Sequence, residues 1–218
     1  MPETGASLDQ ALRLTETLCA RLCHDLASPL GALAGAIELA QEEREAAEEA
    51  LEVAVDSSRG LGARLRLLRA AWGGDTEALD RPALERLAEG LSPRVRLDVA
   101  GLAPAPFPPG AAGLVLNLLL LGAESLPRGG VVSLSGDRAA GVVLSIAGVR
   151  AAWPEELAGL LSGAVPVDAA LGQPRRVQAP FTVLLARARG ARLGFLLDSP
   201  AGQPAPLRLS FSAAVDSP

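Results

Sequence analysis

Lysine and tyrosine are absent from this 218-residue chain, histidine and asparagine occur once each, at His24 and Asn117, and aromatic residues make up only 3%. All 20 basic side chains are therefore arginine. Without lysine there is no P-loop and no Schiff-base chemistry. A single histidine excludes a multi-histidine metal site and sends any imidazole chemistry through one position. The net charge of -5, the pI of about 5.0 and the lack of a basic block speak against nucleic acid and for a protein partner. No apolar run reaches the roughly 20 residues of a membrane span. The longest, residues 111–123, is barred from extension by Pro104, Pro106, Pro108 and Pro109. The segment Met1-Pro2-Glu3-Thr4-Gly5 has no basic region followed by an apolar one, and the only cysteines are Cys19 and Cys23. A reduced, cytoplasmic protein is the expectation.

What is present is a 49% hydrophobic chain, enough for one large domain or two small ones. From Leu8 to about Ala40, apolar residues recur in steps of three and four through Leu12, Thr15, Cys19, Leu22, Leu26, Leu30, Leu33 and Ile37, predicting one long helix. The acidic stretch 41–45 reads as a turn. A second helix follows with Leu51, Ala54, Ser58, Leu61, Leu65, Leu68 and Trp72 on its stripe, stopped by Gly73-Gly74. Such a hairpin cannot shield both sides of its stripes alone. Cover comes either from a second copy, making a dimeric four-helix bundle, or from the rest of the chain; the long 3.5-residue seam favours the dimer.

Residues 75–218 form the second expected domain after the hairpin domain of residues 1–74. It reads as helices over a mostly antiparallel sheet, an α+β class. The expected helices are Glu77 to Leu91, Pro109 to Leu126, Pro154 to Leu161 and Pro180 to Arg189. The expected strands are Arg94 to Val99, Val131 to Ser135, Val142 to Ala147, Leu193 to Leu197 and Leu207 to Phe211. Residues 199–206 and the last few read as loose.

His24 lies two residues from both Leu22 and Leu26, so it points about 160° to 200° away from the stripe. Its own face carries Ala20, Arg21, Ala27, Ser28, Gly31, Gly35 and Glu38. Glycine inside a helix costs roughly 1 kcal/mol relative to alanine, so Gly31 and Gly35 imply a compensating close approach, by a partner or by another part of the chain. Cys19 and Cys23 with His24 miss the haem-attachment spacing by one residue, and there is no methionine other than Met1 and no second histidine to serve as axial ligand. A Cys23/His24 dyad fails because adjacent helical residues diverge by about 100°.

The segment Leu22-Cys23-His24-Asp25-Leu26-Ala27-Ser28-Pro29-Leu30 resembles the H-box of two-component histidine kinases. The resemblance makes His24 the phosphoacceptor on the first helix of a dimeric hairpin. Asp25 is then placed to take the proton of the other ring nitrogen and fix the tautomer. Pro29 removes a helical donor just past the site.

Residues 114–127 resemble the N-box of the nucleotide-binding (Bergerat) domain of the same kinases, but the position of its second asparagine is Leu121. Ala147-Gly148-Val149-Arg150 stands where that family has an adenine-binding aspartate. Gln178-Ala179-Pro180-Phe181-Thr182-Val183 replaces a glycine-rich phosphate loop. A hairpin with an H-box, joined to a degenerate Bergerat-like domain, is similar to the ChpT-type histidine phosphotransferases. That resemblance implies a cytoplasmic homodimer of the bacterial cell cycle, passing a phosphoryl group from the receiver aspartate of a hybrid histidine kinase through His24 to response-regulator receivers. It implies no metal and no bound cofactor or ATP here, with Mg²⁺ residing in the receiver. His24 and Asp25 are the expected catalytic pair, and Arg21, Ser28, Gly31 and Gly35 the expected partner-binding positions, preferred over Arg64 and Arg66. Two readings remain beside it: an ATP-dependent histidine autokinase with divergent boxes, and a non-catalytic dimeric scaffold binding a response regulator.

Overall fold

The computed structural model describes residues 3–74, 77–197 and 202–211, and only the backbone of residues 3–7. Helix α1 (Glu3–Glu42) runs through Pro29, Gly31 and Gly35 without a break. Proline costs it a single hydrogen bond, the one Pro29 cannot donate to the carbonyl of Asp25. After the turn at 43–46, α2 (Ala47–Trp72) returns antiparallel along it and ends at Gly73, with Gly74 at φ 81.

The remaining helices are α3 (Arg81–Ala88), α4 (Pro109–Glu124), α5 (Leu157–Ser162), α6 (Val167–Ala170) and α7 (Gln178–Ala188). A 3-10 turn at Pro174–Arg176 separates α6 from α7. The strands β1 (Val95–Leu102), β2 (Gly130–Asp137), β3 (Gly141–Ala147), β4 (Arg192–Phe195) and β5 (Leu207–Ser210) form one sheet in the order β1-β2-β3-β5-β4. Among the described residues only β1 and β2 are parallel, linked by the α4 crossover; the other pairs are antiparallel. The expected α+β class is thus observed.

Side-chain alternation explains why the sheet is covered on one face. Val132, Leu134, Val142, Leu144, Ile146, Leu207 and Leu209 are buried, while Ser133, Ser135, Ser145 and Arg208 on the other face are not. Helix α4 lies on the apolar face, with α7 and α2 packed on α4, so it is buried all round from Leu114 to Gly122. The C-terminal end of α2 contributes Leu67, Leu68 and Ala71 to this core, which also receives Leu14, Leu18 and Leu22 of α1. Gly90 permits the approach: a Cβ there would lie 2.5 Å from the carbonyl oxygen of Ala63 on α2.

Three expectations need correction. The helix expected from Glu77 starts only at Arg81, because Leu79 pairs as an isolated bridge with Phe107 and Asp80 caps the helix by accepting from the Ala83 amide at 2.7 Å. Strand β1 runs past Val99 to Leu102 through a bulge between Asp98 and Gly101, which shifts the buried side chains from odd to even positions. The segment expected to be loose falls partly outside the described residues (198–201 and 212–218). Within the described part, Ala205 accepts from the Trp153 indole at 2.8 Å and Pro206 from the Leu196 amide at 2.8 Å, so both are held.

Candidate functional site

Helical spacing places Gln10, Leu14, Thr17, Arg21, His24, Ser28, Gly31 and Gly35 on one long face of α1. Its first half is covered by the rest of the chain: Gln10 donates to Asp168 at 2.6 Å, Leu14 packs on the core, and Thr17 Oγ1 donates to the Leu171 carbonyl at 3.0 Å. Its second half is bare. A Cβ on Gly31 or on Gly35 would meet nothing within 4 Å, and Ser28 is exposed. Packing within the chain is therefore not what these two glycines serve. His24 stands at the border, its side chain 53% exposed.

Arg21 belongs to the covered half. Although expected to face a partner, it is buried, and its guanidinium is committed in three directions: Nε donates to Asp25 Oδ1 at 2.8 Å, Nη2 to Glu124 Oε1 at 2.8 Å and Nη1 to the Arg175 carbonyl at 3.1 Å. It ties α1 to the end of α4 and to the 3-10 turn. Asp25 is gripped from the other side by Arg64 of α2, whose Nη2 donates to Oδ2 at 2.7 Å. Folding the hairpin brings Arg64 opposite the histidine's turn of helix, where it meets Asp25 and not the ring.

The charges follow from this geometry. Burial raises the Asp25 pKa, and the Arg64 hydrogen bond with the charges of Arg21 and Arg64 outweighs it, leaving the carboxyl below its ordinary value. Burial lowers the Arg21 pKa, but Glu124 and Asp25 more than offset it, so Arg21 stays firmly charged. Glu124 is pushed up to about 7 by burial, against the opposing pull of Arg21.

Asp25 Oδ1 lies 3.6 Å from His24 Nδ1, beyond hydrogen-bond length. The expected contact between the two residues is thus a charge facing the ring and not a direct proton acceptor. The hydrogen bond that His24 does make is to Arg175 of the 3-10 turn, whose Nη2 is 2.9 Å from Nε2. Sequence reasoning missed Arg175 and Glu124. Nothing periodic links position 24 to 175, whereas Glu124 had a signal: it is the one charged residue in α4.

Two of the three segments compared with nucleotide boxes, 114–127 and 178–183, meet in a buried polar cluster, in which Gln178 Oε1 is left without a partner. Asn117 is fully buried, and its amide donates to the carbonyls of Ala71 at 2.7 Å and Gly113 at 2.8 Å. Gln178 donates to Asn117 Oδ1 and to Thr182 Oγ1, each at 3.0 Å. These side chains spend their donors on the protein itself, locking α4 to α7 and to the end of α2. Among the described residues no cluster of three or more His, Cys, Asp or Glu side chains is placed to hold a metal, and no helix is long and apolar enough to cross a membrane.

Residues 81–200 match the model of the histidine phosphotransferase C-terminal domain. A solved structure described as a bacterial phosphotransferase aligns at 30% identity with a TM-score of 0.75, over 92% of this chain and 97% of its own. No curated protein gives a significant match. The family model covers more than half of the chain, and a likeness over 92% of the chain must reach into the 40-residue helix that carries His24. An exposed imidazole, arginine-backed on a helix braced against this α+β half, is thus found in a chain that belongs to the histidine phosphotransferase family.

Proposed function

We propose that the protein is a ChpT-type phosphorelay carrier, taking a phosphoryl group from the receiver aspartate of a hybrid histidine kinase onto His24 and passing it to the receiver aspartate of a response regulator in bacterial cell-cycle control. The observation that carries this reading is the border position of His24, held on one side by Arg175 and open on the other along Ser28, Gly31 and Gly35. That open strip, free of Cβ atoms at two positions, lets a receiver bring its phosphorylated aspartate close to the ring. Arg21, Arg64 and Asp25 act behind it, bracing the helix so that the nucleophile is presented in a fixed place. Mg²⁺ is supplied by the receiver's acidic pocket, and the reaction needs no nucleotide here, since Asn117, Gln178 and Thr182 are engaged with one another.

The carrier works in the cytoplasm as a homodimer, its helical hairpin (residues 1–74) forming a four-helix bundle and residues 75–218 a Bergerat-like domain. In support, nine of the eleven large hydrophobics exposed among the described residues lie on the hairpin: Leu8, Leu12, Leu30, Ile37 and Leu39 on α1, and Leu51, Val53, Val55 and Leu65 on α2. Leu12, Leu30 and Ile37 share one side of α1, about 120° from His24, so a second copy seated there leaves the histidine open.

The test is phosphotransfer with purified components. A phosphorylated receiver domain labels the wild type, and ATP alone does not. Labelling from ATP supports an autokinase and overturns the relay; stable receiver binding without transfer supports a scaffold.

A further inference from the structure

Of the arginines around His24, two are engaged with carboxyl groups. Arg21 pairs with Asp25 and Glu124, and Arg64 with Asp25, each at hydrogen-bond distance. Arg175 is different: it is exposed, forms no ion pair among the described residues, and spends one donor on the Nε2 atom of His24 at 2.9 Å. Its backbone is not free to wander, because its carbonyl accepts from the buried Arg21 and Pro174 precedes it in the 3-10 turn.

A guanidinium can only donate, so Nε2 must be accepting through its lone pair, and a neutral His24 ring then carries its proton on Nδ1. That is the less populated tautomer of free histidine, and here it points the N–H toward the Asp25 carboxylate 3.6 Å away. The nitrogen left unprotonated is the one beside Arg175, whose charge has no anion partner among the described residues.

We propose that Arg175 readies His24 and then receives the phosphoryl group: its guanidinium keeps the ring in the Nδ1–H tautomer and swings from the Nε2 lone pair onto the phosphoryl oxygens as the N–P bond forms. This deepens the relay reading and rests on it. In the step, the Nε2 lone pair bonds to phosphorus, the P–O bond to the receiver aspartate breaks, and its electron pair leaves with the aspartate carboxylate. Nδ1 keeps its proton, so the ring becomes cationic opposite Asp25, while Arg175 offsets the phosphoryl charge that has arrived. Return of the phosphoryl group to a second receiver runs the same motions backwards.

Because His24 is the only histidine, a ¹⁵N-histidine-labelled sample of the full chain gives one imidazole spectrum with no assignment problem. At a pH where the ring is neutral, the wild type should show protonated Nδ1 and unprotonated Nε2, and Arg175→Ala should revert to Nε2–H. An Nε2–H ring in the wild type, or one unchanged by Arg175→Ala, overturns the inference. Kinetics supply the second arm: phosphorylation of His24 by phosphoramidate, a donor that needs no docking surface, should slow on the order of 10- to 100-fold in Arg175→Ala. Arg175→Lys, which keeps charge and donor, should recover part of the rate. An unchanged or faster rate in Arg175→Ala would show that the contact only masks the nucleophile, and would also overturn it. If the tautomer and phosphoramidate results hold while no phospho-receiver labels the wild type, it is the relay reading that fails and not the role of Arg175.

Discussion

The two halves of the histidine's own face on α1 share a periodicity and differ in everything else. Before His24, the face is occupied by the C-terminal half of the chain through Gln10, Leu14, Thr17 and Arg21; after it, Ser28 is exposed and Cβ atoms on Gly31 and Gly35 would meet nothing within 4 Å. A helical wheel places all seven alike. Their fate was decided by elements more than a hundred residues away, the end of α4 and the segment from α6 to the 3-10 turn. The covered half fixes the reactive ring in space, and the bare half leaves room for whatever brings the phosphoryl group. Stability resides in the first and access in the second.

This contrast can be broken most severely at Arg21. Arg21→Ala leaves Asp25 without one of its two arginines and Glu124 without its own, and removing one partner from a buried ion pair costs about 3–5 kcal/mol. Urea unfolding should show that loss as a lower midpoint at unchanged slope; a loss under 1 kcal/mol would mean that the covered half is not what holds α1 in place. On the bare half the effect should have the opposite sign. Gly31→Ala and Gly35→Ala fit without contact and should each stabilise by about 1 kcal/mol, with a higher melting temperature. The bulkier Gly31→Arg should slow transfer from a phospho-receiver at least tenfold with the dimer intact by sizing. Normal transfer in Gly31→Arg would place the docking surface elsewhere.

The hairpin seam gives a third contrast. The double change Leu30→Glu and Ile37→Glu puts charges on the exposed apolar side without touching the monomer core, and sedimentation should report a monomer that is still helical. A persisting dimer would assign that side another purpose.

Much of this was legible beforehand, because long helices and half-buried strands announce themselves by period. The hairpin, the apolar α4 and five strands follow from the spacing of leucines and valines, and His24 stood out by being single. The rest depended on contacts that leave no local pattern. Arg21 looked like a surface residue because its partners, Glu124 and the carbonyl of Arg175, come from the far end of the chain. The β1 bulge slips the alternation by one residue, and the Leu79–Phe107 bridge consumes residues that a helical pattern also suits. Arg175 sits in a three-residue turn too short to carry any period.

The carboxylates of the brace predict a pH dependence, first at Glu124. Its folded pKa is raised from 4.5 to about 7, so the folded state holds a proton that the unfolded state releases, and stability should fall as pH rises through that window. Glu124→Gln should flatten the decline of melting temperature between pH 5 and 7. Asp25 acts at the other end. Its lowered pKa contributes stability above the ordinary carboxylate value of 3.8 that is lost as pH falls through the folded value, so Asp25→Asn should lessen the acid sensitivity below pH 4. An unchanged profile in either variant would remove that carboxylate from the brace.

The central claim is that His24 takes its phosphate from a protein and gives it to another. The direct measurement is a pulse and chase: a radiolabelled phospho-receiver mixed with the chain, followed by an excess of unphosphorylated response-regulator receiver. The label should pass onto the chain as an acid-labile, alkali-stable phosphohistidine, leave it during the chase, and never appear on His24→Ala. Label that persists on His24→Ala, or that reaches the second receiver in the absence of this chain as fast as in its presence, would contradict the account.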